Sequence, residues 1–199
     1  MKTHLRLFGV GTAALALGVW FLAAVGSNAA DDGDVRGSVR KLATALEKKD
    51  ADAKKQAAAI AEKIEGIEEV MNMMSPRRGN KGGEGVGNEP NKIRPDGIEA
   101  KIMALAKKPL TNKELEAEAA ALERMAYIAA AIGEVAHAKP QGNGNGKKKK
   151  KDWLTWSQEM NEAALELAAA AKKKDAAAIK TAASKVEAKC TSCHDVFKD

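Results

Sequence analysis

The chain has two cysteines, set three residues apart near its end in Cys190-Thr-Ser-Cys193-His194. On a helix, residues three and four apart share a face, so both sulfurs point at one object and the imidazole stands beside them. C-x-x-C-H is the attachment sequence of c-type haem, in which the sulfurs form thioethers with the vinyl groups and the histidine becomes the proximal iron ligand. The expectation is one covalent haem c on Cys190 and Cys193, with His194 on the iron. Two other chemistries use the same residue types. A C-x-x-C dithiol redox pair normally sits in a βαβ setting, which this sequence does not predict. A zinc site drawn from Cys190, Cys193, His194 and His137 lacks paired ligand spacing, and adjacent Cys193 and His194 would fit one tetrahedral ion poorly.

The elements that must position this motif are helical. Of 199 residues, 45% are hydrophobic and only 4% aromatic, and alanine supplies most of the apolar content. Ala, Lys, Glu and Leu are strong helix formers, and a β-sandwich or barrel wants the opposite composition. Helical periodicity predicts segments over about 34–48, 51–74, 96–108, 111–138, 152–173 and 176–198. The second carries Ala53, Ala57, Ile60, Ile64, Ile67, Met71 and Met74 in an unbroken 4-3 alternation. Thr111-Asn-Lys-Glu114 has capping-box spacing. Both cysteines and Phe197 continue the apolar stripe of the last helix. Lys48-Lys-Asp-Ala51 and Lys173-Lys-Asp-Ala176 occupy equivalent turns, which predicts two similar hairpins with Asp50 and Asp175 as N-caps. The expected fold is an all-α, antiparallel four-helix bundle with an extra helix and long Gly-rich inserts, flexible near 75–97 and 140–151.

Residues 1–29 read as a secretory signal. Lys2, His4 and Arg6 precede the uncharged run Leu7–Val25, and Ser27-Asn-Ala29 offers small residues for cleavage. The alternative is an uncleaved anchor, since the run is almost long enough to span a bilayer. The folded domain is then 30–199, exported to the periplasm, where c-type haem is attached. Lys+Arg number 33 and Asp+Glu 27. No basic stripe is interleaved with base-stacking aromatics, which gives no case for nucleic acid.

The stretch Asp152 to Lys198, with its Trp-Leu-Thr-Trp start, Lys-Asp turn and terminal C-T-S-C-H-D-V-F-K, resembles the class II c-type cytochromes, the cytochrome c prime family. The resemblance implies a four-helix bundle whose members carry electrons or bind small gases. It also implies two subtypes, six-coordinate with a methionine ligand or five-coordinate with an apolar distal pocket. The family's methionine sits early in its first helix, and helix 34–48 has none. If hairpin 34–74 lies parallel to hairpin 152–198, Met71 and Met74 fall on the inward stripe near the haem and Met73 points away. Met71 is then the first candidate for the distal ligand, with Met74 or His137 as alternatives. Met103, Met125 and Met160 read as packing residues. Trp153 and Trp156 are candidates for packing on the porphyrin, and Arg77, Arg78 and Lys81 for pairing with propionates.

The leading functional expectation is a mono-haem electron carrier. A five-coordinate gas binder for nitric oxide or carbon monoxide is the alternative, and a zinc or thiol helical module is third. No nucleophile–base constellation or phosphate loop predicts an enzyme. Expected partners are redox proteins, with acidic ones suited to the Lys147–Lys151 run. Membrane contact would require either that run or a retained signal. A homodimer is left open.

Overall fold

The computed structural model describes residues 35–78, 81–143 and 147–198; the expected signal segment 1–29 lies outside them. The helices are α1 (Val35–Glu47), α2 (Ala53–Lys63), α3 (Glu68–Met71), α4 (Ile98–Lys107), α5 (Asn112–Ala138), α6 (Lys150–Lys172) and α7 (Ala176–Phe197). A 3-10 turn, Asn72–Met74, continues α3. Among the described residues the one β feature is an isolated bridge between Pro76 and Gly97. The all-α expectation holds.

Local signals explain most boundaries. Thr111 Oγ1 accepts from the Glu114 N–H, and the Glu114 carboxylate accepts from the Thr111 N–H at 2.8 Å. That capping box starts α5 where the sequence predicts it. The two related turns share one backbone pattern. Lys49 (φ 56°) and Lys174 (φ 53°) both adopt the left-handed conformation. In each turn the following Asp N–H reaches back to the preceding helix, Asp50 to Ala45 and Asp175 to Ala170, the longer bond of a Schellman motif. Asp175 caps α7 by accepting from the Ala178 N–H at 2.9 Å. Asp50 does not cap in the expected way. Its carboxylate accepts from the Asp52 N–H, and α2 starts at Ala53, with Asp52 in the N-cap position.

The predicted single helix over 51–74 is broken. At Ile64 the backbone turns extended, and the Glu69 carboxylate accepts from the Glu65 and Gly66 N–H groups. Those bonds cap α3 and replace the helical ladder that would have run through Gly66, a poor helix former. The apolar spacing survives the break, because Ile60, Ile64, Ile67, Val70 and Met74 are all buried.

The two hairpins do not pack directly against one another to make the bundle. α5 packs on α6, α6 on α7, and α7 on α4, while α1 and α2 pack on α5 from its other side. The four-helix bundle is therefore α4–α7, and α1–α3 form an added layer over α5. Alanines make this dense: Ala126, Ala129, Ala130 and Ala131 on α5 and Ala164 and Ala168 on α6 are fully buried. At Gly133 the helices come so close that a Cβ would lie 3.1 Å from Asn161 backbone atoms.

The glycine-rich stretch after the 3-10 turn has a small core of its own, in which Val86 and Ile93 are buried. Asp96 organises it, accepting from the Val86 and Asn91 N–H groups at 2.8 and 2.9 Å and pairing with Arg77.

Candidate haem site

One end of the bundle is formed by the C-terminus of α7, the start of α6, the last turns of α5, the first turn of α4 and the α3–3-10 segment. They enclose a cleft of about 210 Å³. Cys190, Cys193 and His194 line it from α7, as i, i+3 and i+4 spacing on one helix requires. Met71 and Met74 line it from the added layer, and Trp153 and Met160 from α6. Met73 does not line it and is instead fully buried in the core. A larger hollow of about 450 Å³ lies between α1 and α5, bordered by Arg40, Glu47, Glu123, Arg124 and Tyr127. It holds no sulfur and no imidazole, so donor chemistry, and not size, selects the smaller cleft.

The other expected residues fall as follows. Trp153 is 4% exposed, and its Nε1–H donates to the Ala136 carbonyl at 2.6 Å, which locks the ring against α5. Trp156 does not line the cleft; its ring meets Phe197 edge-on at 6.2 Å. His137 does not line it either. Its Nδ1 faces the Leu154 carbonyl at 3.1 Å, and because a carbonyl only accepts, that nitrogen carries the proton. Lys81 lines the cleft, but Arg77 is turned away, donating to the Gly87 carbonyl at 2.6 Å and pairing with Asp96 at 3.3 Å. Arg78 is exposed outside it. Of the methionines expected as packing, Met125 is buried and Met103 is 39% exposed, a departure caused by its position on the outer face of the short α4.

Some lining residues were missed by sequence reasoning as site residues. Phe197 stands four residues after Cys193, so its place on the same face is implicit in helical spacing. It packs edge-on against Trp153 at 5.0 Å. Glu68, Asn72 and Glu99 arrive from elements whose approach no local signal reveals.

Electrostatics separate the competing chemistries. Burial pushes the Cys190 thiol up to about 12, with Glu99 and Cys193 adding to the effect, and burial pushes Cys193 up to about 11. Thiol–disulfide exchange needs a thiolate, and redox-active C-x-x-C pairs have depressed values, so this setting works against dithiol exchange. Zinc fares no better: among the described residues no three His, Cys, Asp or Glu side chains are grouped to hold a metal ion. The donor set, two protonated thiols and an imidazole sharing one cleft with two thioethers, suits a haem that is bound through vinyl carbons and iron.

A family model described as Cytochrome C′ matches residues 96–198, from Asp96 through α4–α7. Comparisons with curated proteins and with solved structures find no match. The matched stretch is more than half of the 199 residues and contains the whole bundle with its C-x-x-C-H motif, while Met71 and Met74 lie outside it. The chain belongs to the cytochrome c′ family of haem-binding four-helix bundles.

Proposed function

We propose that this protein is an exported mono-haem c-type cytochrome that carries single electrons between redox proteins. The observation that carries this reading is that Met71 and Met74 share one cleft with Cys190, Cys193 and His194. Haem bound there supplies a one-electron ferric–ferrous couple. Cys190 and Cys193 would anchor it covalently, and His194 would supply a nitrogen to the iron. Met71 would supply a thioether sulfur as the second protein donor. Met74, at 6% exposure, belongs to the core, whereas Met71 is only partly buried and packs at the edge of the core, where it borders the cleft. A gas-binding member needs an open sixth position, and two thioethers lining the cleft argue against that. Export is supported by the signal-like residues 1–29 and by the habit of the family. The reading assigns no residue a catalytic role.

The test is the visible spectrum of the mature protein made with haem-maturation machinery. The expected result is sharp reduced bands that ignore carbon monoxide. Met71→Ala should turn this low-spin spectrum high-spin and sensitive to carbon monoxide, and Met74→Ala should not. A wild-type spectrum that is already high-spin would move the function to gas binding, and absence of any haem band would end both readings.

A further inference from the structure

The described residues contain just four aromatic side chains, Tyr127, Trp153, Trp156 and Phe197. Three of them sit together at the cleft end, and two of these, Trp153 and Phe197, have clear structural work. Trp153 is hydrogen-bonded into the α5–α6 contact, and Phe197 packs on the core. Trp156 does neither. It is partly exposed, it is not among the hydrophobics packed on the core, and its one ring contact is with Phe197. A large, partly exposed indole beside the cleft is the kind of anchor that protein interfaces use at their centre.

The charge around it is equally out of keeping with a purely structural role. Lys149 is the N-cap residue of α6 and makes no side-chain capping bond, and Lys150 and Lys151 occupy its first turn. A helix N-terminus carries partial positive charge and favours acidic residues, so lysines there weaken α6. Lys147, Lys149, Lys150 and Lys151 are exposed, and among the described residues no carboxylate pairs with them. Lys198, at the end of α7, lines the cleft on the same side. Glu68, Glu99 and Lys81 line the cleft from α3, α4 and the segment between them, and Asp152 is the one acidic residue in the first turn of α6, so the excess of positive charge lies at the start of α6, where it would orient an approaching partner. Where a sequence breaks a local rule without structural gain, function is the place to look.

We propose that this end of the molecule is the docking surface for an acidic redox protein, steered by Lys147, Lys149, Lys150 and Lys151 and seated on Trp156 and Phe197. The proposal rests on the electron-carrier reading and names the chemistry of its partner. An anionic membrane is the poorer occupant. An interfacial helix must lay an apolar face into lipid, and the apolar face of α6 is already taken by α5 and α7.

The test uses the mature holoprotein in the reduced state with its tryptophan indole N–H signals labelled, titrated with poly-L-glutamate at low and high salt. The Trp156 signal should shift on titration and the shift should vanish at high salt. The triple variant Lys149→Glu, Lys150→Glu, Lys151→Glu should weaken binding by about tenfold or more and should raise Tm, because α6 gains acidic residues at its N-terminus. The control triple Lys54→Glu, Lys113→Glu, Lys180→Glu, which makes the same change in net charge elsewhere, should bind as the wild type does. No shift at Trp156, or equal loss in both triples, overturns the proposal. So does binding to phosphatidylglycerol vesicles without binding to polyglutamate, which would assign the surface to a membrane. Haem content, measured separately, tells the two failures apart: protein that takes up no haem when made with the maturation machinery sinks the electron-carrier reading, whereas haem-loaded protein whose Trp156 signal ignores polyglutamate sinks the docking surface alone.

Discussion

Asp96 decides whether the segment between the 3-10 turn and α4 holds its shape. Its side chain is 6% exposed, and burial alone would push the carboxyl up; the N–H donors of Val86 and Asn91 and the nearby Arg77 guanidinium outweigh that and hold it below the usual carboxylate range. A group whose folded pKa is depressed stabilises the fold above its unfolded value, near 3.9 for Asp, and that contribution is lost as pH falls through the folded value. Amide exchange in 84–96 should therefore accelerate as pH drops below about 4, after correction for intrinsic rates. Asp96→Asn should give the loosened loop already at neutral pH, at a cost of about 2 kcal/mol. Matching protection in the variant and the wild type at neutral pH would mean that the burial of Val86 and Ile93, and not the carboxylate, holds the loop. The consequence reaches the cleft, since Ser75 and Lys81 hang from this segment and line it. Arg77 also shows why charge alone misleads a sequence reader. It looked like a propionate partner, but the carboxylate that claims it lies 19 residues further on.

At the scale of elements, the α5–α6 contact positions Trp153 and Ser157 at the cleft, and Gly133 sets its closeness. Gly→Ala inside a helix ordinarily gains about 1 kcal/mol of propensity. Here the new methyl would meet the Asn161 N, Cα and Cβ at 3.1 Å, and backbone cannot rotate away. Overpacking of this kind costs about 1–3 kcal/mol, so Gly133→Ala should lower stability in chemical denaturation despite its better propensity. A stabilised variant would mean that α6 slides freely, in conflict with the buried Asn161–Ala130 hydrogen bond at 2.9 Å. Helix boundaries were legible because caps and periodicity are local: α5, α6 and α7 begin and end within two residues of the sequence reading. The break at Ile64–Ile67 was not, because the apolar stripe runs straight through it and the capping carboxylate of Glu69 looks like any helical glutamate. The partner of each hairpin was not legible either. Alanine-rich faces are interchangeable by pattern, and only packing shows that α5 stands between the two hairpins.

The whole molecule brings the two proposed iron donors from separate layers. His194 rides on α7 inside the bundle, whereas Met71 rides on α3, which is joined to α1 and to the flank of α5. Mirrored hairpins would bring Met71 to the end of the molecule that carries Cys190 and Cys193, but the hairpins are not paired in that way. The structure gets there by a broken helix that bends over the end of α5, where Lys139 Nζ ties down the Ala61 and Ile64 carbonyls at 3.1 and 2.8 Å. The layer has its own short helices and little contact with α6 or α7, so it should open at lower free energy than the bundle, as peripheral units commonly do. With Met71 on the iron, that opening has a spectroscopic signature. In a guanidinium titration of the ferric holoprotein, the low-spin spectrum should give way to a high-spin one before most of the far-ultraviolet helical signal is lost. Lys139→Met, which removes the tie between α5 and the α2 terminus, should move the spectral transition to lower denaturant and leave the helical transition nearly in place. Coincident transitions in both proteins would mean that the added layer and the bundle unfold as one unit, and that the distal donor is held as firmly as the proximal one.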